Sequence, residues 1–313
     1  MENGIELEAF QKLPTAEVAR LVRAAGPKVC VFPINGTRRW FTLEHPAQTA
    51  TNSAQDYLRI AWQRHIEVYR LFFDHGLDTL LTPIFGPDLL KRGDEYAQLI
   101  LPGLLWFAQN PDMLDFYRAY EVRVRIYGDL RRYFQNTPYA EALQVFDELT
   151  QRTRAHRRHR LFFGICAHDP AETVAEIGVT YYQQHGRLPD KRQIVETYYG
   201  EEVGPVDFFI GFDRPSVFDM PLIATGHEDL YFTVSPSLYL ETPTLRAILH
   251  DHLYARRVSE AYTELSPEDW KTLAEFYNLN RQHVLGLGQR HASGSFWYPL
   301  PEVELPPSMR NPE

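Results

Sequence analysis

The sequence predicts an α/β fold, a single doubly wound domain with a mostly parallel sheet flanked by helices, and three observations carry that prediction. Short apolar, β-rich runs alternate with longer segments of helical periodicity from one end to the other, the pattern of strands joined by crossover helices. The chain has 313 residues, of which 44% are hydrophobic and 13% aromatic. That is enough for a sizeable core, with aromatic residues to spare for an apolar cleft. No repeat, low-complexity run or linker interrupts the chain before the Pro-rich segment from Pro299, so one domain over 1–298 with a tail over 299–313 is expected.

Taken in order, residues 13–25 form a helix that opens at Leu13-Pro14-Thr15, with Thr15 as N-cap and Gly26-Pro27 as the stop. KVCVFPI over 28–34 reads as a short buried strand, and the polar stretch over 42–54 as a loop. Apolar residues then recur at helical spacing over 56–75, ending at His75-Gly76. TLLTPI over 79–84 is the next strand, followed by helices over 93–108 and 111–120 and a strand over 122–127. The alternation continues with a strand over 160–165, a helix over 171–185, strands over 206–210 and 230–234, and a helix over 242–256.

Charge and cysteine usage exclude several function classes. A formal charge of −9 argues against a general nucleic-acid binder, which needs a net basic face for phosphate backbones. An anionic ligand would require a locally basic site. Cys30 and Cys166 are the only cysteines, which gives no disulfide framework and fits a reducing compartment. The first ten residues are acidic and lack a signal-peptide core, and nowhere do about eighteen apolar residues run together. A cytoplasmic protein without integral membrane association is expected.

In a doubly wound sheet, ligands sit beyond the C-terminal ends of the strands. The first such junction reads Asn35-Gly36-Thr37-Arg38-Arg39-Trp40. Gly36 lets the backbone approach an anion, Thr37 adds a hydroxyl, and Arg38 and Arg39 add charge-assisted donors. This composition suits a diphosphate, with a plain basic surface turn as the alternative. Elsewhere the signals are weaker. The basic run RTRAHRRHR over 152–160 reads as a solvated face leading into a strand. His250-Asp251-His252 has the residue types of a metal cluster, but helical neighbours one or two apart point in different directions. Gly286-Leu287-Gly288 is a lone Gly-x-Gly, and Cys166 reads as a small buried thiol.

The run GPKVCVFPINGTRRWF resembles the first signature of the cis-prenyltransferases. It is closer still to bacterial diterpene synthases of that fold, the tuberculosinyl adenosine transferase and kolavelool synthase group, where the corresponding run is Asp-Gly-Thr-Arg-Arg-Trp. The similarity continues through LTPIFGPDLLKRGDEY, VRIYGDLRR, ETYYGEEV, FIGFDRPSVFDMPL, LYFTVSPSLY and TLRAILHDHLY, roughly residues 10 to 260. The resemblance implies a single cis-prenyltransferase domain, commonly a homodimer. It assigns Arg38 and Arg39 to the substrate diphosphate, with Gly36 and Thr37 as loop donors. Tyr57 and Tyr96 match the family tyrosines near the reacting carbon, and Trp40 and Phe85 are candidate walls for a cationic intermediate.

Two departures qualify the resemblance. The family's motif Asp is Asn35 here, and a neutral amide is the poorer ligand for a hard cation. Mg²⁺ is therefore expected as cofactor with weakened dependence, Asn35 being at most a weak ligand. Elongating relatives also bind isopentenyl diphosphate through an Arg-Thr-Gly/Ser-Gly-Glu-x-x-Arg run, whereas this chain offers Arg214-Pro215-Ser216-Val217-Phe218-Asp219, with one arginine. Chain elongation looks lost. Neither Asp-Asp-x-x-Asp nor Asp-x-Asp-Asp occurs, so a separate class II cyclase would supply a bicyclic substrate. The resemblance implies ionisation of a bicyclic diterpenyl diphosphate, kolavenyl diphosphate first and a tuberculosinyl substrate close behind. Water capture would give the tertiary alcohol kolavelool. Transfer to adenosine, or a non-catalytic partner role signalled by Asn35, are the alternatives.

Overall fold

The computed structural model describes residues 5–26, 28–50, 54–92, 94–256, 265–291, 293–294 and 296–300. Its centre is a six-stranded, all-parallel sheet in the order β3-β4-β2-β1-β5-β6. The strands are β1 (Val29–Val31), β2 (Thr79–Phe85), β3 (Val122–Tyr127), β4 (His159–Ile165), β5 (Phe208–Phe212) and β6 (Asp229–Thr233). Central strands are mostly apolar because helices cover both faces. In β2 every residue but Ile84 is buried.

One face carries the larger core. Helices α1 (Leu7–Lys12), α2 (Thr15–Ala24), α5 (Ala54–Asp74), α6 (Asp94–Gln109), α7 (Pro111–Ala119), α8 (Leu130–Phe134), α9 (Ala140–Thr153) and α12 (Thr242–His250) surround it. It is unusually aromatic: Phe72, Phe73, Phe107, Phe116 and Phe146 are buried there. Arg246 fastens this layer together. Its guanidinium donates to Gln11 O at 2.6 Å, Leu13 O at 2.7 Å, Thr15 Oγ1 at 3.0 Å and His75 Nε2 at 3.2 Å. The opposite face holds a smaller cluster in which Val195 and Tyr199 of α11 (Lys191–Tyr199) meet Phe162 and Phe209. Helix α10 (Ala171–His185) lies outside that layer and buries no residue. Helix α13 (Pro267–Leu279) and the antiparallel pair β7 (Gly288–Arg290) and β8 (Trp297–Pro299) follow.

Several expected boundaries shift, each for a physical reason. The stretch read as a loop from residue 42 is helical as far as Ala50, in α3 (Thr37–Glu44) and α4 (Pro46–Ala50), because Gly36 caps α3 directly after the strand. Residues 51–53 lie outside the described residues. Thr15 is the first helical residue and not the cap, which is Pro14; its hydroxyl serves Arg246 instead. β1 ends early because Pro33 has no N–H to extend the ladder, although Phe32 N still donates to Leu81 O at 2.8 Å. The last helix stops at His250 and widens into a π-turn over Asp251–Ala255. Pro299, expected to open the tail, closes β8, and Leu300 N bonds Leu287 O; residues 301–313 lie outside the described residues.

Candidate active site

β1 sits between β2 and β5, so its C-terminal end opens where chain connections diverge to opposite sides of the sheet. That divergence is where α/β proteins bind ligands. The Asn35 backbone is held on both sides by Ser237: Asn35 N donates to Ser237 Oγ at 3.0 Å, and Ser237 N donates to Asn35 O at 3.1 Å. Ser237 Oγ also donates to Pro33 O. Gly36 then turns the chain at φ 75, ψ 14 and caps α3. A Cβ there would lie 2.8 Å from Phe212 Cε1 and 3.0 Å from Pro236 Cβ, so both the left-handed angle and the close approach require glycine.

The result is a helix N-terminus facing out of the sheet. Its first-turn amides, Thr37 to Arg39, have no acceptor carbonyl among the described residues, and no acidic residue sits in that turn. Such an end favours an anion. Arg38 is exposed and forms no ion pair among the described residues. Arg39 is committed: Nη1 lies 3.2 Å from Asp213 Oδ2 just beyond β5, and its guanidinium sits over the Phe212 ring at 5.0 Å. The two arginines, alike in sequence, are unlike in structure.

Thr37 also lines a cavity of about 180 Å³ running back between α5, α6 and the end of β2. Tyr57, Trp62, His65, Phe85 and Leu104 form much of its wall. The geometry therefore brings together Thr37, Tyr57 and Phe85 of the residues singled out in sequence. Tyr57 packs edge-on to Phe41 at 5.2 Å, and Phe85 packs edge-on to Phe134 and Tyr139. Trp40 does not join them: it is buried beside His45, away from the cavity wall. The indole lies on the side of α3 that faces the core. Tyr96 falls in the first turn of α6, and its side chain lies outside the described residues. Asn35 is exposed.

His65 is the residue that sequence reading missed. It is 7% exposed and lines the cavity, and burial pushes its pKa down to about 3 against the opposing effect of a backbone hydrogen bond with Ala61. Its ring packs against Trp62 at a tilt of 46°, with centroids 4.5 Å apart. A neutral imidazole thus joins Thr37 and Tyr57 as a polar group in a mostly apolar recess, about 12 Å along α5 from Tyr57.

The donors beside this loop do not fit a protein-held hard cation. Asn35 offers a neutral amide, and the adjacent carboxylate, Asp213, is paired with Arg39. Among the described residues no group of three or more His, Cys, Asp or Glu converges. His250, Asp251 and His252 diverge, as helical geometry requires: His250 Nε2 meets Ile5 O, Asp251 accepts from Tyr231 Oη, and His252 Nδ1 meets Asp229 Oδ2. Arg214 reaches Trp297, with 5.9 Å to the ring centroid, and no second arginine follows it in the crossover. Cys166 is buried, and burial pushes its thiol up to about 12, which leaves it inert. No helix of the described residues is long and apolar enough to cross a membrane.

No family model matches the chain. It is 41% identical over 292 residues to a tuberculosinyl adenosine transferase from Mycobacterium tuberculosis, covering 92% of this chain and 97% of the relative. It is 26% identical over 281 residues to a (+)-kolavelool synthase from Herpetosiphon aurantiacus, covering 89% and 91%. Among solved structures, lavandulyl diphosphate synthase from Lavandula x intermedia, in complex with dimethylallyl diphosphate, is similar with a TM-score of 0.55 at 12% identity, over 74% of this chain and 97% of that one. A probable undecaprenyl diphosphate synthase from Campylobacter jejuni gives 0.52 at 12%, over 76% and 99%. These two show the fold alone. Sequence identity and fold together place the chain: it belongs to the tuberculosinyl adenosine transferase and kolavelool synthase family, terpenoid enzymes built on the cis-prenyltransferase fold.

Proposed function

We propose that this enzyme ionises a bicyclic diterpenyl diphosphate of the tuberculosinyl type and transfers the allylic cation to adenosine. One observation carries the ionisation: a bare helix N-terminus and Arg38 open at Thr37 directly onto an apolar, aromatic recess. Breaking an allylic C–O bond leaves an anion on one side and a delocalised cation on the other. The catalyst must hold the first with fixed donors and face the second with electron-rich, water-poor walls. Here α3 and Arg38 meet the diphosphate, with Arg39 shared between it and Asp213. Tyr57, Trp62 and Phe85 face the cation, each ring contributing about 2 kcal/mol or more once desolvated.

The higher identity, 41% against 26%, favours the tuberculosinyl skeleton over the kolavenyl one that the sequence reading put first. It equally favours adenosine over water. Water capture to a tertiary alcohol remains the second reading, supported by Tyr57, which lines the same recess as Thr37 and whose hydroxyl would orient one water or take its proton. Mg²⁺ enters only as a companion of the substrate diphosphate, which it binds through phosphate oxygens while keeping its waters. A cyclase upstream and a homodimer complete the proposal.

The test is incubation of purified protein with tuberculosinyl, kolavenyl and geranylgeranyl diphosphates, with and without labelled adenosine, read by mass spectrometry. Adduct from the tuberculosinyl substrate is expected. Absence of product from every bicyclic diphosphate would return the chain to the non-catalytic reading. The same assay on Tyr57→Phe should show a large loss with unchanged folding; unaltered rate and products would demote Tyr57 to packing.

A further inference from the structure

A second cavity, of about 650 Å³, lies on the other side of the β2 terminus, a volume in the usual range for small-molecule sites. The turn Pro87–Arg92 separates the two recesses: Leu89 lines the apolar one, whereas Asp88 and Lys91 line the second. The rest of the lining comes from Tyr133, from His168 past the end of β4, and from Phe218 and Asp219 of the β5–β6 crossover. Aromatic faces and carboxylates meet here at the C-terminal edge of the sheet, beside the site where the cation forms.

With two carboxylates against one lysine, its charge disfavours an anionic ligand. Lys91 is taken up by Asp88 at 2.6 Å, and Asp219 has no ion pair among the described residues. Asp219 is fixed in place by its own backbone, at φ 56, with its carbonyl accepting from Tyr127 Oη at 2.7 Å. Burial holds its carboxyl above the ordinary range, with His168 opposing the shift. Behind it, the Tyr198 hydroxyl is buried without a hydrogen-bond partner among the described residues. An isopentenyl diphosphate site would need cations where this cavity presents acids.

We infer that this second cavity is the acceptor site, and that it takes an uncharged nucleoside and rejects its phosphorylated forms. The inference rests on the proposed transferase reading and locates its second substrate. Tyr133 and Phe218 offer faces for a heteroaromatic base, and Asp88 and Asp219 accept from sugar hydroxyls or an exocyclic amine. The chemistry favours acids here for a second reason. As the C–O bond breaks, its electron pair leaves with diphosphate; a ring-nitrogen lone pair then forms the new C–N bond. The neutral base thereby gains one positive charge, which facing carboxylates stabilise.

The experiment uses full-length protein and compares Asp219→Asn and Tyr133→Ala with the native chain, varying adenosine, AMP and the diterpenyl diphosphate separately. Asn tolerates the positive φ of Asp219, so the crossover is retained. Expected are a rise in KM for adenosine of about tenfold or more in both variants, KM for the diphosphate within about twofold, a shift of product toward the alcohol, and AMP turnover at least about tenfold poorer than adenosine. If the native chain makes no nucleoside adduct, the transferase reading itself fails. If it makes adduct but both variants keep the native adenosine KM, or AMP serves equally well, the acceptor lies elsewhere and this inference is overturned.

Discussion

Replacing Gly36 with alanine tests whether the anion-binding turn is built as described. Two costs are separable. A non-glycine residue in the left-handed region costs about 1–2 kcal/mol. The new Cβ would also sit 2.8 Å from Phe212 Cε1, 3.3 Å from Phe212 Cζ and 3.0 Å from Pro236 Cβ, an overlap that forces side-chain and backbone shifts worth about 1–3 kcal/mol. Gly186 supplies a matched control. It caps α10 at φ 67, ψ 11, close to the 75 and 14 of Gly36, and a Cβ there meets nothing within 4 Å. Gly186→Ala should therefore lose only the backbone part. Urea unfolding of both variants should show Gly36→Ala less stable by about 1–3 kcal/mol than Gly186→Ala. Because Phe212 underlies the Arg39 guanidinium, Gly36→Ala should also lower kcat/KM for the diphosphate, and Gly186→Ala should not. Equal stability of the two variants, or full activity in Gly36→Ala, would refute the close-approach argument.

The remaining predictions concern charge. Arg38→Ala should lower kcat/KM by about 10²-fold, the loss of one charge-assisted contact of about 3 kcal/mol, and Arg39→Ala by less, because Asp213 already shares its charge; the reverse order would show that Arg39 leaves Asp213 on binding. Burial depresses the pKa of His65 to about 3 and of His159 to about 4. The folded state thus binds fewer protons than the unfolded one below about pH 6.5, and their stabilising contribution, complete above that value, is lost as pH falls. Near pH 5.5 the two should steepen the decline in unfolding free energy by about 2 kcal/mol per pH unit, and His65→Leu should remove about half; an unchanged slope in that variant would show His65 is not buried neutral. Asn35→Asp should make activity depend more steeply on Mg²⁺, with residual native activity after chelation. A native chain inert on every C20 diphosphate, beside an active Asn35→Asp, would end the claim of a working Asn site.

Strands were legible because parallel strands covered on both faces are continuous apolar runs. The strand over 122–127 and the helix over 171–185 match the structure residue for residue. Helices α9 and α11 were passed over, although Asp190 and Gln193 form a capping box at the start of α11, a signal present in the sequence. The basic motif read as a loop because its polar residues obey no apolar period; only the conformation of Gly36 shows that the helix starts there. At the site, chemistry-bearing types were visible and their company was not. Nothing in Arg38-Arg39 says which one Asp213 takes, since that partner is 174 positions away. His65 was hidden for the opposite reason. On α5 the cavity-lining positions 57, 58, 61, 62 and 65 fall within one arc of about 140°, so a histidine in the middle of that arc reads as one more core residue until the cavity is seen.

The crossover between β5 and β6 relates the two halves of the proposed reaction. At its start, Phe212 supports Gly36 and Asp213 holds Arg39; farther along, Phe218 and Asp219 line the second cavity. One segment therefore touches the wall that receives the leaving anion and the wall that awaits the acceptor. An elongating enzyme needs cations at both, since both of its substrates are diphosphates. Here the cations stay at α3 and the second wall is acidic, which sets a field across the sheet edge. On the proposed reading, that field would draw the allylic cation away from the departed diphosphate and toward the acceptor, opposing return of the ion pair to substrate. The loss of the motif carboxylate at Asn35 acts in the same direction, because it removes a negative charge from the anion side. Asn35 and Asp219 are then two parts of one rearrangement of charge, and reversing either should favour return of the ion pair over transfer.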